Sequence, residues 1–151
     1  MQTWASLDIE IVTAAILSLV MLVTTAALHY EALHFLARVS NGHRISRRWI
    51  VVILASLVTV HLAEVALYAG AYAVGTNVLS LGGLRGSSDR AALDFFYFAA
   101  ETYSTLGYGD LVPVGALRLI ASVESLNGLL LLSWSGAFLF GVLRDVPARR
   151  R

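Results

Sequence analysis

"ETYSTLGYGDLVP", Glu101 to Pro113, breaks a chain that otherwise reads as membrane helix. It carries two acids, a run of hydroxyl side chains and two glycines flanking a tyrosine, and it lies between two apolar runs. Backbone without helical pairing survives at membrane depth only where it is buried in protein or lines a watery path. The composition suits such a place. Gly107 and Gly109 can take backbone angles closed to other residues, and alternating such residues along an extended strand can aim successive carbonyls at one axis. Thr105 adds a hydroxyl at one end of that row.

The surroundings fix the scale. A spanning helix needs about 20 mostly apolar residues to cross about 30 Å of hydrocarbon. Three segments meet this: Ile9 to about Leu28, continuing helically to about Leu36; Trp49 to Val74; and about Val114 to Leu143. Between the second and third lies "AALDFFYFAAETYS", Ala91 to Ser104, apolar and aromatic but too short to cross, so it is either a soluble amphipathic turn of helix or a re-entrant segment. Gly75 to Arg90 is rich in Gly and Ser and is expected to be an exposed turret loop, with Ser87, Ser88 or Asp89 capping the short helix. The chain thus divides into residues 1–48, a first spanning helix with a basic loop; 49–144, a pore-like module; and 145–151, a basic tail.

Composition agrees with a membrane protein. Of 151 residues, 58% are apolar and 14% charged, against roughly 25% charged in soluble domains. The net charge of +1 does not point to nucleic acid, and the absence of cysteine excludes disulfides and thiolate metal sites. All eleven basic residues are arginine. Eight of them, Arg38, Arg44, Arg47, Arg48, Arg144, Arg149, Arg150 and Arg151, fall on one side of a three-span topology. The positive-inside rule then puts the N-terminus outside and the C-terminus in the cytoplasm, with the basic inner face suited to anionic lipid. The start contains Asp8 and Glu10 and no basic residue, so the first apolar segment is expected to belong to the mature protein. No segment repeats Arg at every third position, as a voltage sensor would.

Thr105-Leu106-Gly107-Tyr108-Gly109-Asp110 resembles the T-V-G-Y-G-D filter signature of the potassium channel family. The likeness covers about Ala91 to Leu143, with the second span as outer helix. It implies an all-α membrane protein of three spanning helices plus a re-entrant pore helix (91–104) and a filter (105–110). K⁺ would be coordinated at Thr105, Leu106, Gly107 and Tyr108, with Gly109 completing the filter. Rings of carbonyls from four loops replace the ion's water, so the resemblance implies a homotetramer in a prokaryotic inner membrane, with no cofactor beyond K⁺. It also implies an inner helix (114–143) with Gly128 as hinge and Leu132 on the cavity side, a constriction near Phe138 to Leu143, and a peripheral first helix. Glu101 and Asp110 would lie together behind the filter and share a proton, the alternative being two separately solvated acids at the outer mouth, with Tyr97 and Phe98 bracing Tyr108. The departures are Leu106 for the usual valine, Tyr97 and Phe98 for tryptophans, and Glu124 and Asn127 in an inner helix that is often apolar there. They leave a weakly selective cation channel or a non-conducting subunit as alternatives.

Other polar residues carry two readings each. His61 and Glu64, at i and i+3, share one helical face in mid-span. They are either a proton sensor or a structural hydrogen bond, since a charge there costs roughly 2.5–3.5 kcal/mol unless paired. His29, Glu31 and His34 could add metal ligands, but are expected nearer the inner membrane face than His61. Glu124 either rings the cavity or turns outward to the pore helix or His61. An enzymatic alternative also exists, because "GYGD" satisfies the G-x-G-D pattern of intramembrane aspartyl proteases; that chemistry needs a second mid-span aspartate, and the sequence has none. The expectation is therefore a channel and not an enzyme.

Overall fold

The structure, a computed structural model, describes residues 4–40, 46–86 and 91–144. Arg44, the Ser87, Ser88 and Asp89 capping candidates, Arg90 and the tail from Asp145 onward lie outside the described residues. The elements are α1 (Trp4–Ser40), α2 (Arg47–Asn77), β1 (Gly82–Arg85), α3 (Ala91–Tyr103), β2 (Val112–Gly115) and α4 (Leu117–Arg144). Three helices, Leu7–Ser40, Arg47–Asn77 and Leu117–Arg144, are long and apolar enough to cross a membrane. This is an all-α membrane architecture, with one small sheet added.

α1 is longer than its apolar run suggests. It has 37 residues, about 55 Å at 1.5 Å per residue, so its ends pass beyond a hydrocarbon layer of about 30 Å. Residues His29 to Ser40 continue the helix: no Gly or Pro interrupts them, and Glu31, Ala32, Leu33, Leu36, Ala37 and Arg38 are strong helix formers. α2 starts at a proper cap: Ser46, in extended conformation, accepts the Trp49 N–H on its hydroxyl.

The sequence placed a turret loop at 75–90 and began the inner helix at 114. The structure corrects both. α2 runs on to Asn77, and Gly82–Arg85 pairs antiparallel with Val112–Gly115, Leu84 opposite Pro113. Pro113 has no N–H to give, which suits a two-stranded ribbon with a free side. Gly115 sits at φ 68°, outside helical space, so α4 begins only at Leu117. The ribbon straps the end of α2 to the start of α4, and the buried Leu81 and Leu117 lie beneath it.

α3 packs against α2 and α4, and α1 packs against both α4 and α2. The main core gathers Val65, Tyr68 and Tyr72 of α2, Phe95, Phe98, Ala99 and Tyr103 of α3, and Leu117, Ile120 and Leu131 of α4. A second cluster joins Leu33 and Leu36 of α1 to Ile53 and Leu57 of α2, with Phe138, Leu139 and Val142 packed on it. The C-terminal end of α1, the start of α2 and the end of α4 therefore lie together, and Arg38, Arg47, Arg48 and Arg144 share that end of the molecule. Phe138, expected near a constriction, packs within the chain, while Phe140 is outward-facing. Ile9, Ile16, Leu19 and Val23 of α1 are exposed, as lipid-facing positions should be, since hydrocarbon gives apolar side chains no reason to hide.

α1 is not a loose addition. Asn127 of α4 donates to Thr25 Oγ1 at 2.7 Å and to Tyr68 Oη at 3.1 Å, joining α4 to α1 and α2. Ala14, Ser18, Met21, Thr25, His29, Leu33 and Leu36, spaced three or four apart, are all buried and form one continuous face.

Candidate functional site

The polar stretch begins in the last turn of α3 and leaves the helix after Tyr103. The Leu106 N–H donates to the Glu101 carbonyl (2.9 Å) and the Thr105 N–H to the Thr102 carbonyl (3.0 Å), the paired bonds of a Schellman end. The left-handed residue in that motif is usually glycine; here it is Thr105, at φ 59°. A β-branched residue held there stores on the order of 1–3 kcal/mol and persists only where the surroundings over-determine it. Gly107 (φ 57°) and Gly109 (φ 81°) follow at alternate positions, while Leu106 and Tyr108 keep negative φ. This alternation lets an extended backbone turn successive carbonyls toward one side.

Side chains hold this segment in place. Glu101, buried at the end of α3, accepts the Tyr108 N–H on Oε2 at 3.2 Å. Tyr97 donates to Asp110 Oδ2 at 3.1 Å, and its ring lies parallel to Tyr108 with centroids 6.4 Å apart. Asp110 Oδ1 accepts the Leu111 N–H. The two acids thus take different partners, where the sequence suggested one shared proton. Phe98 also departs from expectation: it is buried with its edge toward Tyr72, centroids 5.0 Å apart, and braces the core rather than Tyr108.

Burial pushes the Glu101 carboxyl above the usual carboxylate range; the Tyr108 N–H opposes this, and the Asp110 charge adds to it. A carboxyl raised in the fold contributes stability that is complete below its unfolded value and is lost as pH rises through the folded value. The melting temperature of the wild type is therefore expected to fall, relative to Glu101→Gln, as pH climbs upward from the ordinary carboxylate range. A difference that stays constant with pH would contradict this placement of Glu101.

The polar residues of α4 turn inward. Glu124, Asn127, Gly128 and Ser135 lie on its buried face with Leu117, Ile120 and Leu131, whereas Leu132 is exposed. Glu124 does not ring a cavity within this chain: it is fully buried and accepts the Tyr72 hydroxyl on Oε2, while Oε1 has no partner among the described residues. Its partner is Tyr72, not His61. Asn127 is likewise committed to Thr25 and Tyr68. Glu124→Gln keeps an acceptor for Tyr72 and is expected to leave ion flux unchanged. Glu124→Ala orphans the buried hydroxyl and should cost about 1–3 kcal/mol, read as a lower melting temperature of the purified protein. Reduced flux at unchanged stability in the glutamine variant would restore the cavity reading.

Gly128 is a close-approach position. A Cβ there would stand 2.2 Å from the Tyr103 carbonyl oxygen and 3.0 Å from its Cα, so the end of α3 rests directly on the α4 backbone. Gly107 and Gly109 differ from it, with open space where a Cβ would go.

His61 and Glu64 meet as their spacing predicts, at 3.1 Å between Nδ1 and Oε2, and more residues join them. His29 is fully buried at the same level as His61, with ring centroids 5.2 Å apart, which corrects the expectation that it lay nearer the inner face. Its Nδ1 is 2.9 Å from Glu64 Oε1. Glu31 and His34 are exposed, His34 stacking on Tyr30. Sequence reasoning missed the parts of Tyr103, Ser135, Tyr72, Tyr68 and Thr25. The signal was present, because a polar residue at helical spacing inside an apolar span faces protein.

Comparison with known proteins agrees with the geometry. Residues 49–145 match the ion channel family. A protein of Bacillus subtilis (strain 168) named uncharacterized membrane protein YdjJ is 40% identical over 58 residues, which is 38% of this chain. The match spans 17% of that relative's length. No solved structure matches. Three spanning helices with a short helix and a polar, non-helical segment between the last two define an integral membrane protein of the ion-transport type. The chain belongs to the ion channel family.

Proposed function

We propose that the protein is a potassium-selective channel that conducts K⁺ passively as a homotetramer. The observation that supports it most is the alternation of positive φ at Thr105, Gly107 and Gly109 within T-L-G-Y-G-D, held from behind by Glu101 and Tyr97. Ions would shed water against the carbonyls of Thr105, Leu106, Gly107 and Tyr108 and the Thr105 hydroxyl, displacing one another along adjacent sites. One chain offers one such segment, and a ring needs four. Leu106 and Tyr108 are exposed, as are Leu126, Leu129, Leu130 and Leu132 of α4, an apolar flank that neighbouring copies would cover. The shared end bearing Arg38, Arg47, Arg48 and Arg144 would face the cytoplasm and anionic lipid. Conduction itself requires no cofactor and no chemical step.

A weakly selective cation channel is the second reading, favoured by one contact: Phe98 packs on Tyr72 and gives Tyr108 no hydrogen bond. Flux from purified protein in liposomes under K⁺ and Na⁺ gradients separates the two. Barium-blocked K⁺ flux with little Na⁺ flux is expected; equal fluxes would replace the first reading by the second. Absence of flux together with absence of K⁺ binding would overturn both.

A further inference from the structure

Behind the end of α3, side chains from all four helices converge on one carboxylate. His29 of α1 and His61 of α2 both aim Nδ1 at Glu64, at 2.9 Å and 3.1 Å. Both aim Nε2 at a single oxygen, Ser135 Oγ of α4, at 3.3 Å and 3.0 Å. Tyr103, the last residue of α3, places its hydroxyl 2.8 Å from His61 Nδ1 and 2.5 Å from Glu64 Oε2. His29 and Glu64 are fully buried and the His61 side chain is 15% exposed.

Hydrogens can be counted here. Filling these contacts takes one on each Nδ1, one on Tyr103 and one in each of the two Nε2–Ser135 contacts. Two neutral imidazoles, a serine and a tyrosine carry one fewer than that. With Glu64 ionised and both rings neutral, at least one contact therefore sets lone pair against lone pair, beside a buried negative charge. The cluster lacks one positive charge.

We propose that this cluster is a binding site for a divalent first-row transition cation of the Zn²⁺ class. Its ligands would be His29 Nδ1, His61 Nδ1, the Glu64 carboxylate and the Tyr103 oxygen. The donor atoms of His29, His61 and Glu64 all lie within 4.8 Å of one another. Imidazole with oxygen donors suits borderline metals better than Ca²⁺ or Mg²⁺, and four donors suit a closed tetrahedral site. Bound Tyr103 would give up its phenolic proton to solvent, so that cation, carboxylate and phenolate sum to zero charge, as a hydrocarbon setting requires. Both Nε2–H groups would then donate to Ser135, whose oxygen has two lone pairs to receive them, fixing both rings from outside. Both nitrogens of each imidazole then have a partner, the cation at Nδ1 and Ser135 at Nε2. Because the Tyr103 backbone rests on Gly128, the cation clamps the end of α3 to α1 and α2 two residues before the segment at 105–109.

The test uses the full chain in nanodiscs, stripped with chelator and titrated with Co²⁺ and then Zn²⁺. One Co²⁺ per chain is expected, with the intense visible absorption of a tetrahedral site, displaced by Zn²⁺; Zn²⁺ also raises the melting temperature. His29→Gln and His61→Gln should lose both signals, and His34→Gln should keep both. Ser135→Ala, which keeps every ligand, should bind about 10–100-fold more weakly, so the proposal is testable even if a histidine variant misfolds. Absence of the spectrum in wild type, its survival in both histidine variants, or a melting temperature that responds to pH but not to cation would overturn the site in favour of a proton-only cluster. Cation binding is read without ion flux, so its failure and a failure of the channel reading are distinguishable.

Discussion

Gly128→Ala is expected to abolish ion flux and lower the melting temperature of the purified protein in the same variant. The new Cβ would stand 2.2 Å from the Tyr103 carbonyl oxygen and 2.9 Å from its carbon, distances that only backbone movement can relieve. Both partners are main chain, so no side chain can swing away. Overpacking of this kind costs about 1–3 kcal/mol, and the displaced element is the helix end that carries Glu101, Tyr103 and the turn into Thr105. Gly136→Ala is the control: a Cβ there meets nothing within 4 Å among the described residues, and both readouts should stay at wild-type values. A hinge at Gly128 predicts something else, namely altered opening with stability preserved. Flux that changes while the melting temperature holds would favour the hinge over the packing contact.

The spans and the polar interruption were legible because each rests on local composition: a run of apolar residues, or glycines spaced around a tyrosine. The ribbon at 82–85 and 112–115 was not legible. Its strands are four residues each and lie about thirty residues apart in sequence, so no periodicity announces it. Thr105 escaped for a different reason. Its positive φ is imposed by the end of α3 folding back onto the Glu101 carbonyl, and threonine by itself predicts the opposite sign. Gly128 could be marked as unusual from the sequence, but flexibility and close approach call for the same residue, and only the position of Tyr103 separates them. His61 and Glu64 were paired by their spacing on one helix, whereas His29, Tyr103 and Ser135 reach them across helix contacts that depend on the rotation of α1 and α4. Polar atoms inside an apolar span indicated that partners exist; three-dimensional packing decided which ones.

Gly107→Ala should separate folding from function in the opposite way to Gly128→Ala. Among the described residues nothing lies within 4 Å of a Cβ at Gly107, so no atom of them needs to move to admit the methyl group. The obstacle is the backbone angle, φ 57°, which costs an L-residue roughly 1–2 kcal/mol. Alanine must either hold that strained angle or rotate the adjoining peptide, which takes a carbonyl out of the row facing the ion. Loss of one carbonyl per chain removes a whole ring of ligands in a symmetric assembly, so K⁺-selective flux is expected to vanish while the protein still folds, with a melting temperature near that of wild type. Tyr108→Asp should also destroy selectivity, since it removes the ring stacked on Tyr97 and sets a charge beside Asp110 and Glu101. Selective K⁺ flux surviving both substitutions would mean that residues 105–109 are not the coordinating strand, whatever their resemblance in sequence.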